Sequence, residues 1–302
     1  MALFSYDDTS RREDLLSILK DVSPTSDNYL STNLGTSVAN NTLHEWLVFN
    51  TSRPTSVTFV AEGAEATEPT HTQPTRSNNI TAIIRREVKV SGTEQAVRVG
   101  LPGNPFDFQK KVGLTLFKSD LEFALLNGTR ASGASGTARG MTGINGVIST
   151  NLTARNSGTS MSTTELEDIV QNSWDAVGSE FVGKLLLCPM GIKRKITTFT
   201  TRVQPYAESQ DRIYNNISFY ESASGTVKIV PHKDVINATG STHVYLLNED
   251  MYKVAWLKGR EPKWNDLPAT GDYDRGYYIG EGTLESLAER ASVKRYGYAL
   301  TG

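Results

Sequence analysis

Between Asn104 and Gly128 the chain carries one amphipathic segment with a start and a stop written into it, NPFDFQKKVGLTLFKSDLEFALLNG. Asn104 can cap the first free N–H groups, Pro105 is preset for the first helical position, and Gly128 suits a left-handed residue that ends the run. Phe108, Val112, Leu116, Leu121 and Leu125 recur at helical spacing, while Lys110, Lys111, Lys118, Asp120 and Glu122 occupy the other faces. At about 1.5 Å per residue the helix is roughly 33 Å long, enough to run the length of a domain. Such a helix could equally be the core helix of an α/β enzyme. Its surroundings separate the two readings, because the flanking regions are too polar and too rich in Gly and Thr to be ordinary core. A chain arranged this way reads as one held by neighbours, so assembly is expected rather than turnover.

Composition agrees. The chain has 302 residues, 38% hydrophobic and 21% charged, with a net charge of −2, which suits one large or two modest domains. The apolar fraction is low for a self-contained protein, and 25 glycines point to long loops or extended arms. Cys188 is the only cysteine, so no intrachain disulfide and no Cys-based metal site can form. The N-terminal sequence has early acidic residues and no apolar block of signal-peptide length, and no run of about 18 apolar residues occurs, so neither secretion by that route nor membrane insertion is expected. Lys and Arg are dispersed, which argues against a sequence-reading nucleic-acid binder.

Along the chain, residues 11–20 suit a short helix, and residues 23–41 lose periodicity and read as an extended polar arm lying on solvent or on another subunit. HEWLVF, His44–Phe49, is strand-like. Ser56–Val60 and Asn79–Val90 read as the arms of a long hairpin with a polar tip. A lone hairpin is marginal in water, so it either packs on another surface or forms a β excursion of a monomer. After the long helix, Gly133, Gly136, Gly140, Gly143 and Gly146 interrupt regular structure in a loop that is mobile or functional. Ser162 and Glu165 make a capping box ahead of Leu166, Ile169, Val170, Trp174 and Val177, with Gly178 as the stop. Lys184–Pro189 suits a buried strand and Gly191–Phe199 a helix; Thr226–Val230, His243–Leu247 and Tyr252–Leu257 add strands. Thr283–Arg290 is expected as helical turns and Ser292–Leu300 as a final strand.

Chemistry finds little purchase. His44, His71, His232 and His243 have no HExxH spacing and no neighbouring cysteine, so a zinc site would need remote positions to converge. Cys188, after three leucines and before Pro189, reads as a buried inert thiol. Glu62 with Glu65, and Asp272 with Asp274, are carboxylate pairs on loops with no enforced separation. No GxSxG elbow is present, and no GK[ST] follows the glycine-rich segment. Lys193, Arg194 and Lys195 form a small basic run, either a solvated face or a contact to nucleic acid or to a neighbour's carboxylates. No catalytic, cofactor or metal residue is assigned, and an enzyme is not expected.

The order of segments carries more than any one motif: HEWLVF (44–49), AEGAE (61–65), RSNNITAIIRREVKVSGT (76–93), FKSDLEFALLNG (117–128), ARGMTGINGVI (138–148), LEDIVQNSWDAVG (166–178), LLLCPMGIKRKI (185–196), TVKIVPHKD (226–234) and LPATGDYDRGYYIGEGTLE (267–285). In that order the chain resembles the major capsid proteins of tailed bacteriophages, with the α+β HK97-like fold, and is most similar to the capsid family that includes phage SU10. The resemblance implies an N-terminal arm at 1–43, an extended β-hairpin E-loop at 44–100, a first part of the P-domain at 101–164 with the spine helix at 105–127, an A-domain at 165–245, and a return to the P-domain at 246–302. It implies a structural protein of the virion that assembles in the host cytoplasm, as hexamers and pentamers, into an icosahedral shell around double-stranded DNA. The implied partners are identical subunits, a portal protein, a separate scaffolding protein, a decoration or cement protein, and DNA contacted nonspecifically; no membrane is involved. Val57, Phe59, Glu62, Glu65, Arg85, Arg86 and Val88 are the expected intersubunit contacts. Gly100, Gly103 and Gly113 are expected hinges or bends, Gly113 at a helical cost of roughly 1 kcal/mol against Ala. Some relatives link a loop lysine to a neighbour's asparagine; here Lys89, near the loop base, is the E-loop's only lysine, so no such bond is expected. No long helical scaffolding segment precedes the arm, so either a separate scaffold guides assembly or only a short piece is removed. The alternatives are an encapsulin-like nanocompartment, a tail structural protein and a soluble α/β hydrolase.

Overall fold

The computed structural model describes residues 28–51, 54–57, 59–65, 71–97, 104–199, 219–223, 225–235 and 242–298. The helix expected at 11–20 and the glycines Gly100 and Gly103 lie outside them.

The long helix, α3, spans Pro105–Asn127, and the Asn104 side chain accepts from Phe106 N at 2.8 Å. Its stop works differently from the expectation. Gly128 has φ −54°, so no left-handed residue ends the run. A Cβ there would sit 2.4 Å from Ala124 O and 2.6 Å from Met141 O. Glycine is needed because the following loop folds straight back, with Gly143 N donating to Gly128 O at 2.9 Å. The apolar face is half-buried at Phe108, Val112 and Leu116 and becomes fully buried at Phe117, Leu121, Leu125 and Leu126. Glu122, expected on a polar face, is 0% exposed. Gly113 sits where strand β4 (Ala82–Ser91) crosses the helix, and a Cβ there would come 2.9 Å from Val88 Cγ2.

The first sheet is built on β12, Tyr273–Ser286, a single 14-residue strand where helical turns were expected from Thr283; only Glu289–Ala291 turns. On one side it pairs with β10 (Tyr252–Leu257) and β11 (Lys263–Leu267), on the other with β4, all antiparallel. β1 (Gly35–Ala39) adds in parallel to β10. The segment expected as an extended polar arm is therefore partly folded onto its own chain: α1 (Leu30–Asn33) makes one helical turn, and Leu30, Leu34 and Ala39 are buried.

The second sheet has the order β5-β13-β9-β6-β8-β7: Leu152–Thr159, Val293–Tyr298, His243–Leu247, Leu185–Cys188, Gly225–Pro231 and Phe219–Ser222. The final strand, β13, thus joins this sheet rather than the first, parallel to β5 and antiparallel to β9. Helix α5 (Thr163–Val177) starts at the expected capping box and ends at Gly178, whose φ is +78°. Helix α6 (Met190–Thr197) crosses from β6 toward β8, with Ile192 and Ile196 inward, and Arg194 and Lys195 of the basic run in its last turn, where cations favour the helix dipole.

Alternation along the central strands gives two cores. Leu186, Cys188, Val244 and Leu246 face α5 and α6, while Leu185, Leu187, Tyr245 and Leu247 face Leu121, Leu125 and Leu126 of α3. The glycine-rich loop is packed rather than loose. Met141, Ile144 and Ile148 enter the α3 core, and α4 (Ile144–Val147) adds a turn. Ser91, at the end of β4, caps helix α2 (Gly92–Ala96), its hydroxyl accepting from Glu94 N at 3.2 Å.

Candidate assembly interface

The projecting element is a two-stranded hairpin of β2 (Leu43–Val48) and β3 (Thr75–Ile80), in register from Leu43 opposite Ile80 to Val48 opposite Thr75. This corrects the arms read from sequence: among the described residues of Ser56–Val60 no strand forms, and Ala82–Ser91 belongs to the first sheet. The pairing partner of HEWLVF was missed because Thr75–Asn79 is polar, with little alternation to mark it.

Its root is clamped to the subunit. Glu285 accepts from Ser37 Oγ at 2.5 Å and lies 3.2 Å from His44 Nε2, and Trp46 Nε1 donates to Ser286 O at 2.7 Å. Asn79, buried, donates to Thr142 O at 3.0 Å and Leu284 O at 2.9 Å and accepts from Thr142 N at 2.9 Å. Thr81 Oγ1 donates at 2.8 Å to Glu281, whose buried carboxylate also accepts from Arg139 at 2.5 Å and Arg260 at 2.7 Å. Two guanidiniums offset one buried charge here, and the three segments they come from are tied together.

Beyond the root the chain shows apolar side chains to solvent. Leu47 and Phe49 are exposed, and Val57, Phe59 and Val60 are 71%, 91% and 82% exposed. Glu62 and Glu65 are exposed beside them, so four of the seven expected contact residues, Val57, Phe59, Glu62 and Glu65, share one projecting segment. The other three lie elsewhere. Arg85 is exposed on β4 and pairs with Glu87 at 2.8 Å. Arg86 is taken by Asp120 of α3 through two hydrogen bonds. Val88 is buried against α3 within its own subunit, where β4 packs on the helix, and its side chain is not presented outward.

The least legible group is a buried junction of three segments. Glu122 of α3 accepts from Leu30 N and Ser31 N, each at 2.7 Å, and from His232 Nε2 at 2.8 Å. Asp234 N donates to His232 Nδ1 at 3.2 Å, so the imidazole is satisfied as the neutral Nε2–H tautomer. Burial pushes the Glu122 pKa up, but the bonds from His232, Ser31 and Leu30 outweigh it and hold the carboxyl below its ordinary value. The available signal was a carboxylate flanked by Leu121, Leu125 and Leu126 on one helix.

Other candidates stay apart. Burial pushes the Cys188 thiol up to about 12, which suppresses the nucleophilic thiolate. His243 is buried beside Tyr245, and burial, with Lys294 nearby, brings it down to about 4. Asp272 and Asp274 line a shallow exposed depression with Gly92 and Gln95. Among the described residues no three His, Cys, Asp or Glu side chains come together as a metal site, and no helix is long and apolar enough to cross a membrane.

Solved structures share this arrangement over nearly the whole chain. The capsid of an empty GTA particle aligns with a TM-score of 0.67 at 12% identity, covering 99% of this chain and 100% of that one. The cyanophage A-1(L) capsid gives 0.67 at 12%, covering 96% and 99%, and the SrpI encapsulin of Synechococcus elongatus gives 0.58 at 12%, covering 100% and 98%. The fold is the HK97-like fold of shell-forming subunits. No curated protein sequence matches the chain. The family model of the SU10 major capsid protein matches residues 3–298, and the chain belongs to that family.

Proposed function

We propose that this phage major capsid protein builds an icosahedral head from hexamers and pentamers of itself, around double-stranded DNA, and that its role is structural rather than catalytic. The observation that carries the reading is the hairpin: its root is fixed by buried hydrogen bonds while Val57, Phe59 and Val60 stand in solvent. Fully burying a side chain of this kind is worth about 1.5–3 kcal/mol, so a subunit leaving three exposed on one projection gains by laying it on a neighbour. In this assignment the E-loop is the part of 44–100 beyond the root, α3 is the spine of the P-domain, and the second sheet with α5 and α6 forms the A-domain. Arg86 and Val88 then act within the subunit, and Gly113 serves close packing of β4 on the spine.

Identical subunits are the principal partners; a portal, a separate scaffolding protein, a decoration protein and nonspecifically held DNA complete the set, with assembly in the host cytoplasm. A net charge of −2 suits weak contact with packaged DNA. Lys89 lies over the Tyr273 ring at 3.8 Å, which occupies the lysine and favours a shell without covalent links.

Negative-stain imaging of the expressed chain, with and without a candidate scaffold, tests the reading. Closed shells are expected from the unaltered chain, and Phe59→Asp should leave soluble subunits with an unchanged circular dichroism spectrum. Shells of normal yield from Phe59→Asp would remove the loop from the contact. Enzyme cargo in place of genome would move the protein to the nanocompartments.

A further inference from the structure

The first sheet has one covered face and one open face. Successive residues of a strand alternate sides, and the even-numbered residues of β4 and β12 face α3: Val88 and the Tyr278 ring lie where a Cβ on Gly113 would point, and Arg86 holds Asp120. The odd-numbered residues therefore face away from the helix. Arg85 stands there opposite Ile279, Glu87 opposite Tyr277, and Lys89 opposite Arg275. Arg85 and Lys89 are exposed, Tyr277 and Ile279 are half-buried, and Ile83, next along β4, is 49% exposed.

The charge on this face is uneven. Glu87 is the one exposed carboxylate that β4 and β12 place there, and Arg85 takes it at 2.8 Å. Glu281, at the far end, is buried and held by Arg139 and Arg260. Lys89 and Arg275 both lie over the Tyr273 ring, at 3.8 and 5.4 Å, which positions the two cations without neutralising them. The projecting segment has the complementary character. Ala64 N donates to Ala61 O at 3.1 Å with Gly63 at φ +82°, closing a turn that carries Glu62, with Glu65 directly after it and Val57, Phe59 and Val60 leading in. Apolar then charged is the order on both. The loop points away from its own open face, because β3 runs into β4 with only Thr81 between, so Thr75 is already about 33 Å of strand from Arg85, on the side away from Lys89.

We infer, resting on the reading of this loop as a subunit contact, that its tip seats on the open face of the first sheet of a second copy, its apolar residues over Ile83, Tyr277 and Ile279 and its two glutamates against Arg85, Lys89 and Arg275. Apolar groups then leave water at the centre of the contact while opposite charges fix its register. Two different patches meet, so the contact is heterologous and runs from copy to copy until the ring closes.

The test uses the full chain. Copies carrying Val60→Cys are mixed with copies carrying Ile83→Cys, assembled and treated with a short bismaleimide, to which the buried Cys188 is closed. A dimer band on a denaturing gel is expected from shells of the mixture and not from shells of either variant alone. Shells of the mixture without that band would overturn the inference while leaving the loop as a contact on some other face, whereas no shells from the unaltered chain would remove both. Arg85→Glu with Lys89→Glu sets like charges together and should cut shell yield by at least about tenfold. Adding Glu62→Lys and Glu65→Lys should restore the yield, a rescue that a folding defect would not give. Shells of normal yield from the first pair, holding DNA more weakly, would assign the face to nucleic acid and overturn the inference. Should the reversed chain fail to fold, the crosslink decides.

Discussion

Replacing Glu122 with alanine tests the junction that joins the N-terminal segment, α3 and the second sheet. The substitution removes the acceptor of three short hydrogen bonds, from Leu30 N, Ser31 N and His232 Nε2. A buried donor left without a partner costs about 1–3 kcal/mol, so three would reach several kcal/mol if the structure stayed rigid. It need not: α1 can peel away and return its two N–H groups to water, giving up the burial of Leu30 and Leu34 instead. The cheaper route sets the loss, about 3–5 kcal/mol, because His232 Nε2 still loses its acceptor at about 1–3 kcal/mol and the N-terminal turn gives up part of its apolar burial. Glu122→Gln keeps the shape but turns an NH2 group toward a donor, so it should cost less, about 2 kcal/mol. Urea unfolding followed by tryptophan fluorescence gives the loss, and hydrogen exchange at the Leu30 and Ser31 amides gives the route. A loss under about 1 kcal/mol, with those amides as protected as before, would refute the reasoning. The pH dependence has a definite sign. Because the folded carboxyl is held below its ordinary 4.5, its contribution is complete above that value and disappears as pH falls through the folded value. The glutamine variant should lack that acid-side loss.

Two further outcomes are expected. Gly113→Ala gains about 1 kcal/mol of helix propensity but places a methyl 2.9 Å from Val88 Cγ2, a stiff β-branched neighbour, for an overpacking cost of about 1–3 kcal/mol; net destabilisation in urea unfolding is expected, and Val88→Ala in the same chain should turn the alanine into a gain. His243 falls from 6.5 unfolded to about 4 folded, so its full contribution is present above pH 6.5, and about 3 kcal/mol should be lost as pH drops to 4; a flat profile over that window, or the same loss in His243→Gln, would count against it.

Legibility followed how local the cause was. The start of α3, the capping box of α5, the left-handed Gly178 and the strands Leu185–Cys188 and His243–Leu247 depend on neighbours within a few residues, and all were readable. The register of the projecting hairpin was not, because Thr75–Asn79 has no apolar alternation and pairs with a strand about thirty residues earlier. β12 was read as turning at Thr283, yet it runs unbroken through three glycines to Ser286. Gly276 lies under Trp264, where a Cβ would come 2.2 Å from the ring, so the residue that suggests a break in sequence is what lets the aromatic cover the strand. Of the residues expected at subunit contacts, Val57, Phe59, Glu62 and Glu65 are exposed, while Arg86 and Val88 are engaged within the subunit because β4 is recruited into a sheet by a strand nearly two hundred residues away. Glu122 escaped for the same reason, since its three donors come from remote parts of the chain.

Leu185, Leu187, Tyr245 and Leu247 point into one core while their neighbours on the same two strands point into the other. Prising the halves apart would wet those four side chains at about 1.5–3 kcal/mol each. That equals the whole net stability of an ordinary domain, about 5–15 kcal/mol, so among the described residues the sheet these strands share is a stiff joint between the two cores. Under the proposed assembly, a change of angle between neighbouring copies falls at their contacts, and each copy passes load across this shared sheet.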